Sequence, residues 1–202
     1  NFEAQGGIVE PGKDQIPGTS TDWNIIQNFA SIKNDETQII FSSNDIPLVH
    51  LGGLNIGEFN YVAKPENTHI YSWVLNNYWV TNFRASQDGE LKWSYSLTSV
   101  NTKTNEKSYK FGYENKIPFA SRVFPEGKTV NKNFSKSFLS LNDPNLILVS
   151  AMPFENTKKI ILHLKEINGT TRNISLNNLV NKSAKSIYEV NVLGNKLSDN
   201  KD

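Results

Sequence analysis

The chain has 202 residues, of which 21 are basic and 20 acidic, and its formal net charge is +1. This length is enough to bury a hydrophobic core, and the near-zero net charge argues against nucleic acid or an anionic membrane as a partner. An aromatic content of 11% argues against disorder. The absence of Cys excludes thiol catalysis, thiolate zinc sites and disulfides, and it leaves the cellular compartment open.

The first half of the chain alternates apolar and polar residues, which is the pattern of half-buried β-strands. Leu91, Trp93, Tyr95 and Leu97 share one side of such a strand, and we predict that this side is buried. Asp88-Gly89 predicts a tight turn before it, and therefore a hairpin with residues 80–86. Short segments bounded by turn residues predict the other strands of this half, at 24–32, 38–42, 48–51, 69–75 and 108–113.

The second half predicts a hairpin whose strands, 159–167 and 170–176, flank Asn168-Gly169. Asn-Gly is the strongest short-range signal for a hairpin turn. Further strands are predicted at 146–151 and 187–193. No stretch carries apolar residues at helical spacing over three turns, and the nearest, 176–186, is too rich in Asn and Ser to predict a helix.

These elements predict an all-β chain built as an antiparallel β-sandwich. Pro125 and the polar stretch after it interrupt the alternating apolar and polar pattern of the strands. We therefore expect one β domain at residues 1–125 and a smaller β-sandwich unit at 126–202. No apolar stretch approaches the roughly 18 to 20 residues of a transmembrane helix. The chain begins at Asn1 without a Met or a signal peptide, and we expect it to be part of a longer protein.

Residues able to carry catalysis are sparse. His50, His69 and His163 lie far apart and form none of the short spacings that mark metal ligands, so we predict structural or surface roles for them. No nucleophile-elbow motif and no phosphate-binding glycine motif is present. Most Asp residues occur in predicted turns, where Asp bonds its own backbone.

The segment 71–83 departs from the strand pattern, because it places adjacent asparagines between two tryptophans. Asn is a poor strand former, and a buried amide needs hydrogen-bond partners. Two interpretations stay open. Either the asparagines bind loop backbone while the rings fill the core, or the rings stack on sugar and the amides bind its hydroxyl groups.

Three blocks of the sequence also carry a family resemblance. The first block is residues 9–18 with Asp22-Trp23, residues 45–49 and Gly52-Gly53. The second is residues 73–83 with Gln87 and Gly89, and the third is residues 147–162 with 189–193. In this order they resemble the C-terminal half of glycoside hydrolase family 38, the α-mannosidase family. The middle block is the most specific of the three.

The resemblance implies the end of a supersandwich-like β domain followed by a smaller terminal β-sandwich that is truncated here. Family members are retaining α-mannosidases that use a zinc ion and an aspartate nucleophile in an N-terminal catalytic domain. Neither the metal motif nor the nucleophile has a matching position in this chain. We therefore expect no catalytic residue and no cofactor here, with zinc held by the missing catalytic domain, which is the expected partner.

The leading hypothesis is thus a region of an α-mannosidase-like glycosidase that is inactive alone, supports the catalytic domain and shapes the cleft for a mannoside ligand. If the middle block reaches that cleft, Asn77 and Asn82 donate to sugar hydroxyls and Trp79 offers its ring face. The alternatives are a free-standing, non-catalytic carbohydrate-binding β-sandwich and a purely structural or adhesive β module.

Overall fold

Antiparallel strands dominate the chain in the computed structural model, which describes residues 1–55, 57–76, 82, 84–123, 135, 137, 139–141, 143–173 and 186–197. Cα packing divides the chain into two compact units, Asn1–Ser121 and Arg122–Asp202. The domain boundary expected at residues 125 and 126 lies outside the described residues.

The described residues of the first unit form two antiparallel sheets and one helix. Its elements are β1 (Phe2–Ala4), β2 (Gly7–Val9), β3 (Asn24–Ile25), β4 (Ala30–Lys33), β5 (Gln38–Ser43), β6 (Leu48–Leu51), β7 (Ile70–Ser72), β8 (Tyr95–Val100) and α1 (Asn105–Lys116). One sheet has five strands in the order β2-β1-β4-β5-β8, and the other has three in the order β3-β6-β7.

The two sheets share a hydrophobic core. Phe2, Ala30 and Phe41 from the five-stranded sheet pack in one buried cluster with Val49 from β6 and with Ile26, which follows β3. Burial of these side chains removes apolar surface from water on both sheets at once, which is what stabilises a sandwich. The predicted all-β, sandwich-like fold class is therefore confirmed.

Helix α1 covers the other face of the five-stranded sheet, through buried Ser108, Tyr109 and Gly112. The strand predicted at 108–113 is therefore wrong. Glu106 in the first turn and Lys116 in the last turn suit the helix dipole, and they were the available signals for a helix. Aromatic residues occupy every second position at Tyr109, Phe111 and Tyr113, a spacing that suggests a strand. In the helix, Tyr109 is buried, whereas Phe111 and Tyr113 are half-buried.

A polar network joins α1 to the sheet. The Asn115 amide donates to Ser42 Oγ at 2.9 Å, and its Oδ1 accepts from Ser96 Oγ at 2.6 Å. Ser42 Oγ donates in turn to the Asn28 carbonyl at 2.7 Å, and the Asn28 amide donates to the buried Glu3 carboxylate at 2.7 Å. Buried polar groups must be hydrogen-bonded, so this network fixes how the helix lies on the sheet.

The network also explains why the predicted face of β8 is reversed. Leu97 lies opposite Phe41 but is 66% exposed, while Ser96 and Thr98 on the other face are half-buried beneath α1. The hairpin predicted before β8 is not formed by the described residues either, because β8 pairs with β5 and residues 84–86 are not a strand. Of its first strand, 80–86, residues 80, 81 and 83 lie outside the described residues.

The described part of the second unit contains one antiparallel hairpin, formed by β9 (Leu146–Phe154) and β10 (Lys159–Glu166). Its connecting turn places Asn156 at a φ of 45°, a conformation that Asn tolerates better than most residues. The predicted strand at 146–151 is confirmed within β9. Of the predicted strand 187–193, only an isolated bridge between Val190 and Lys196 forms.

The described residues do not form the hairpin predicted across Asn168-Gly169, and β10 pairs with β9. The Glu166 carboxylate accepts from the backbone amides of Asn168 and Thr170, each at 3.0 Å, so it engages the amides that a returning strand would need. Desolvation alone would raise the pKa of Glu166, but these donors outweigh it and lower that pKa. Residues 170–173 are not a strand, and 174–176 lie outside the described residues.

Candidate functional site

Of the three residues predicted to lie near a bound carbohydrate, one is among the residues that the structure describes. Asn82 lies in an exposed bend, whereas Asn77 and Trp79 lie outside the described residues. The set therefore stays a prediction. The structure describes the start of the segment 71–83 as far as Asn76. Its first aromatic residues, Tyr71 and Trp73, belong to a different candidate site on the three-stranded sheet.

The outer face of the three-stranded sheet carries a group of rings from the described residues. Val49, Leu51 and Ile70 point into the core, so the alternating residues of β6 and β7 point to the opposite face. His50 and Tyr71 are paired on that face, with ring centroids 6.1 Å apart. The rings that flank them complete what we call the aromatic face, which consists of Trp23, His50, Tyr71 and Trp73.

Trp23 and Trp73 are the closest pair on the aromatic face. Their ring centroids are 4.6 Å apart at 56°, although the residues are far apart in sequence. The backbone amide of Trp73 donates to the Leu48 carbonyl at 3.0 Å, which holds the end of β7 beside β6. Both indoles are half-buried, as is Tyr71, so each ring keeps part of its surface open to solvent.

His50 anchors the aromatic face. It is 4% exposed, its ring lies 5.6 Å from that of Trp23, and its Nδ1 contacts the Asp22 carbonyl while Nε2 contacts the Gly53 carbonyl. His50 thereby ties the loop before β3 to the end of β6 and positions Trp23.

A pocket of about 50 Å³ opens beside the aromatic face, and His50 belongs to both. Among the described residues, the lining includes two basic side chains and no acidic one: Thr21, His50, Leu51, Gly53, Asn55, Asn60, Ala63, Lys64 and Pro65. The Asn55 Oδ1 atom is buried and accepts no hydrogen bond from the described residues.

Gly52 allows the pocket to form. Its φ of +97° is a backbone conformation that L side chains rarely adopt, and a Cβ there would lie 2.8 Å from Pro65 Cα. The 63–65 loop can therefore lie directly against the end of β6. The Gly52 amide donates to the His69 carbonyl at 3.0 Å, which fixes the approach of β7 to the same point.

Zinc is the metal that the family resemblance implies, and the described side chains do not fit it. No three His, Asp or Glu residues of the described ranges converge. His50 directs its nitrogens at carbonyl oxygens, and His69 directs Nδ1 at the Tyr71 hydroxyl at 3.1 Å. We assign no metal ligand in this chain.

Three comparisons were made with known proteins: no family model, no curated protein and no solved structure matches this chain. The relationship to family 38 therefore stays a prediction that rests on the three sequence blocks. Within the part of the chain that the structure describes, no helix has the length and hydrophobicity to cross a membrane.

Sequence reasoning missed Trp23 and His50 as parts of one site. The signal for His50 was its place between Val49 and Leu51, which predicts that it alternates to the side away from the core. Trp23 and Trp73 both lie within blocks of family resemblance. Their contact depends on how β3, β6 and β7 pair, which the sequence pattern does not reveal.

Proposed function

We propose that the Asn1–Ser121 unit is a non-catalytic carbohydrate-binding β-sandwich that binds sugar on the aromatic face. The observation that carries the proposal is the pair of half-buried indoles at 4.6 Å, on a sheet face that also holds Tyr71. Aromatic faces are apolar and suit the C–H patches of a sugar ring, while nearby polar groups bind its hydroxyls. Asn77, Trp79 and Asn82 remain proposed as further sugar contacts.

A second proposal places this surface in a larger enzyme. Trp23 and Trp73 both lie in blocks that resemble family 38, and this favours a β-sandwich region of an α-mannosidase-like glycosidase. In that protein a separate N-terminal domain would hold the zinc ion and the nucleophile. The present chain would support that domain and contact a mannoside beside its cleft.

Replacing Trp73 with Ala tests the carbohydrate proposal. We expect at least about tenfold weaker binding of saccharides, because one of the two paired indoles is lost. Isothermal titration with an α-mannoside, or with whichever saccharide a glycan array identifies, measures the change. Trp93→Ala is the matched control, because Trp93 is a half-buried Trp outside the aromatic face.

Circular dichroism should show that both variants keep their β structure. Equal losses of affinity in the Trp73 and Trp93 variants, or unchanged affinity in the Trp73 variant, would contradict the assignment of the aromatic face.

Hydrolysis of an aryl α-mannoside tests the second proposal. We expect no turnover from this chain alone, because its described residues bring no cluster of His, Asp and Glu together. A longer parent protein with its upstream domain should hydrolyse the substrate, and a zinc chelator should abolish that activity. Turnover by the chain alone would refute the non-catalytic role, and an inactive or chelator-insensitive parent would refute the α-mannosidase relationship.

A further inference from the structure

The pocket beside the aromatic face is lined by basic side chains, and the proposed carbohydrate function does not explain them. We infer that it receives a negatively charged substituent, so that the saccharides bound by this chain are acidic. The inference rests on the proposed carbohydrate function. The charged substituent is a carboxylate, as in uronic or sialic acids, or a sulfate ester.

The charged side chains of the lining are the first argument. Lys64 and His50 line the pocket, and among the described residues no Asp or Glu lines it with them. The Lys64 side chain ends in an ammonium group, whereas both His50 ring nitrogens already contact backbone carbonyls, so Lys64 is the group that would pair with an anion. A pocket lined by an ammonium group, with no carboxylate among its described lining residues, favours an anion and repels a cation.

The size of the pocket is the second argument. A volume of about 50 Å³ holds a few water-sized groups and is far smaller than ordinary ligand pockets. It can accept a carboxylate or a sulfate but not a whole sugar ring. A sugar ring that stacks on the aromatic face therefore places one substituent in the pocket, because His50 belongs to both the face and the pocket lining.

Asn55 supplies the third argument. Its Oδ1 is buried at the pocket and accepts no hydrogen bond from the described residues, so a donor that enters there removes a desolvation cost. An acidic sugar carries hydroxyl donors next to its anionic group. Lys64 can pair with the anion while Asn55 accepts from an adjacent hydroxyl.

A glycan array of carboxylated, sulfated and neutral saccharides tests the inference with the full chain. Each carboxylated hit is then titrated beside its carboxyl-reduced form, which keeps the ring and removes the charge. We expect the reduced form to bind about tenfold more weakly, the value of one charge-assisted hydrogen bond. Added salt should weaken the acidic form more than the reduced one.

Lys64→Gln should abolish this difference between the acidic and reduced forms, and Lys92→Gln should keep it. Lys92 is an exposed lysine outside the pocket lining and is the matched control. If sulfated saccharides bind and carboxylated ones do not, the same Lys64 test applied to a sulfated saccharide and its desulfated form identifies sulfate as the anion.

The outcomes separate the inference from the proposed function. Neutral and acidic saccharides that bind equally well, with Trp73→Ala weakening both, would overturn the inference and support the carbohydrate function. An acidic preference that survives Lys64→Gln would overturn the assignment to this pocket. Failure to bind any saccharide, neutral or acidic, would overturn the carbohydrate function itself.

Discussion

Replacing Tyr109 with Ala is expected to lower the free energy of unfolding of the Asn1–Ser121 unit by about 3 to 5 kcal/mol, the usual cost of deleting a buried ring. Tyr109 is 1% exposed, and its ring packs edge-on against Phe29 with centroids 5.2 Å apart. Phe29 is also 1% exposed, so the variant leaves a cavity between α1 and the sheet. Urea denaturation followed by tryptophan fluorescence measures the loss, because all four Trp residues precede residue 122.

Tyr109→Phe is the control, because it keeps the ring and removes the hydroxyl. Burial raises the pKa of Tyr109, and the Glu3 carboxylate raises it further, so the hydroxyl is neutral and no charge is lost on substitution. We expect the Phe variant to lose about 1 kcal/mol or less. Equal losses in the Ala and Phe variants would show that ring packing is not what stabilises this contact.

Local sequence signals were sufficient to predict a strand where apolar and polar residues alternate and turn residues mark both ends. The predicted strand 48–51 coincides with β6, with Pro47 before it and Gly52 after it. Val49 enters the core and His50 points to the other face, as period-two alternation requires. The strand predicted at 38–42 is confirmed in β5.

The sequence could not show which face of a strand would be covered. In β8 the apolar side that includes Leu97 resembles a core face, but α1 covers the opposite side, where Ser96 bonds Asn115. A helix that packs through polar contacts leaves no apolar stripe at helical spacing. Both errors, the missed α1 and the reversed β8, therefore have one cause.

The candidate site was only partly predictable for a related reason. Trp73 lies in the segment singled out for sugar binding, but its partners Trp23 and His50 come from other segments. Strand pairing brings them together, and pairing between distant segments leaves little trace in one sequence. Residue chemistry is therefore the basis for proposing a sugar ligand, whereas the location of the candidate site required the fold.

Helix α1 lies so close to the sheet that position 112 has no room for a side chain. A Cβ at Gly112 would lie 3.1 Å from both the Cβ and the carbonyl oxygen of Asn28, tighter than ordinary contact. Asn28 cannot easily move, because its amide donates to Glu3 at 2.7 Å and its carbonyl accepts from Ser42 at 2.7 Å. We therefore expect Gly112→Val to destabilise this unit by about 1 to 3 kcal/mol through overpacking.

Gly112→Ala should cost less than Gly112→Val, because replacing Gly in a helix gains up to about 1 kcal/mol of helix propensity, which offsets part of the clash. Lys110→Val is the matched control, since Lys110 is exposed on the same helix and reports the cost of a β-branched residue there. Urea denaturation of the three variants separates the two effects. If Gly112→Val is no less stable than Lys110→Val, then Asn28 moves freely and the polar network does not fix α1 on the sheet.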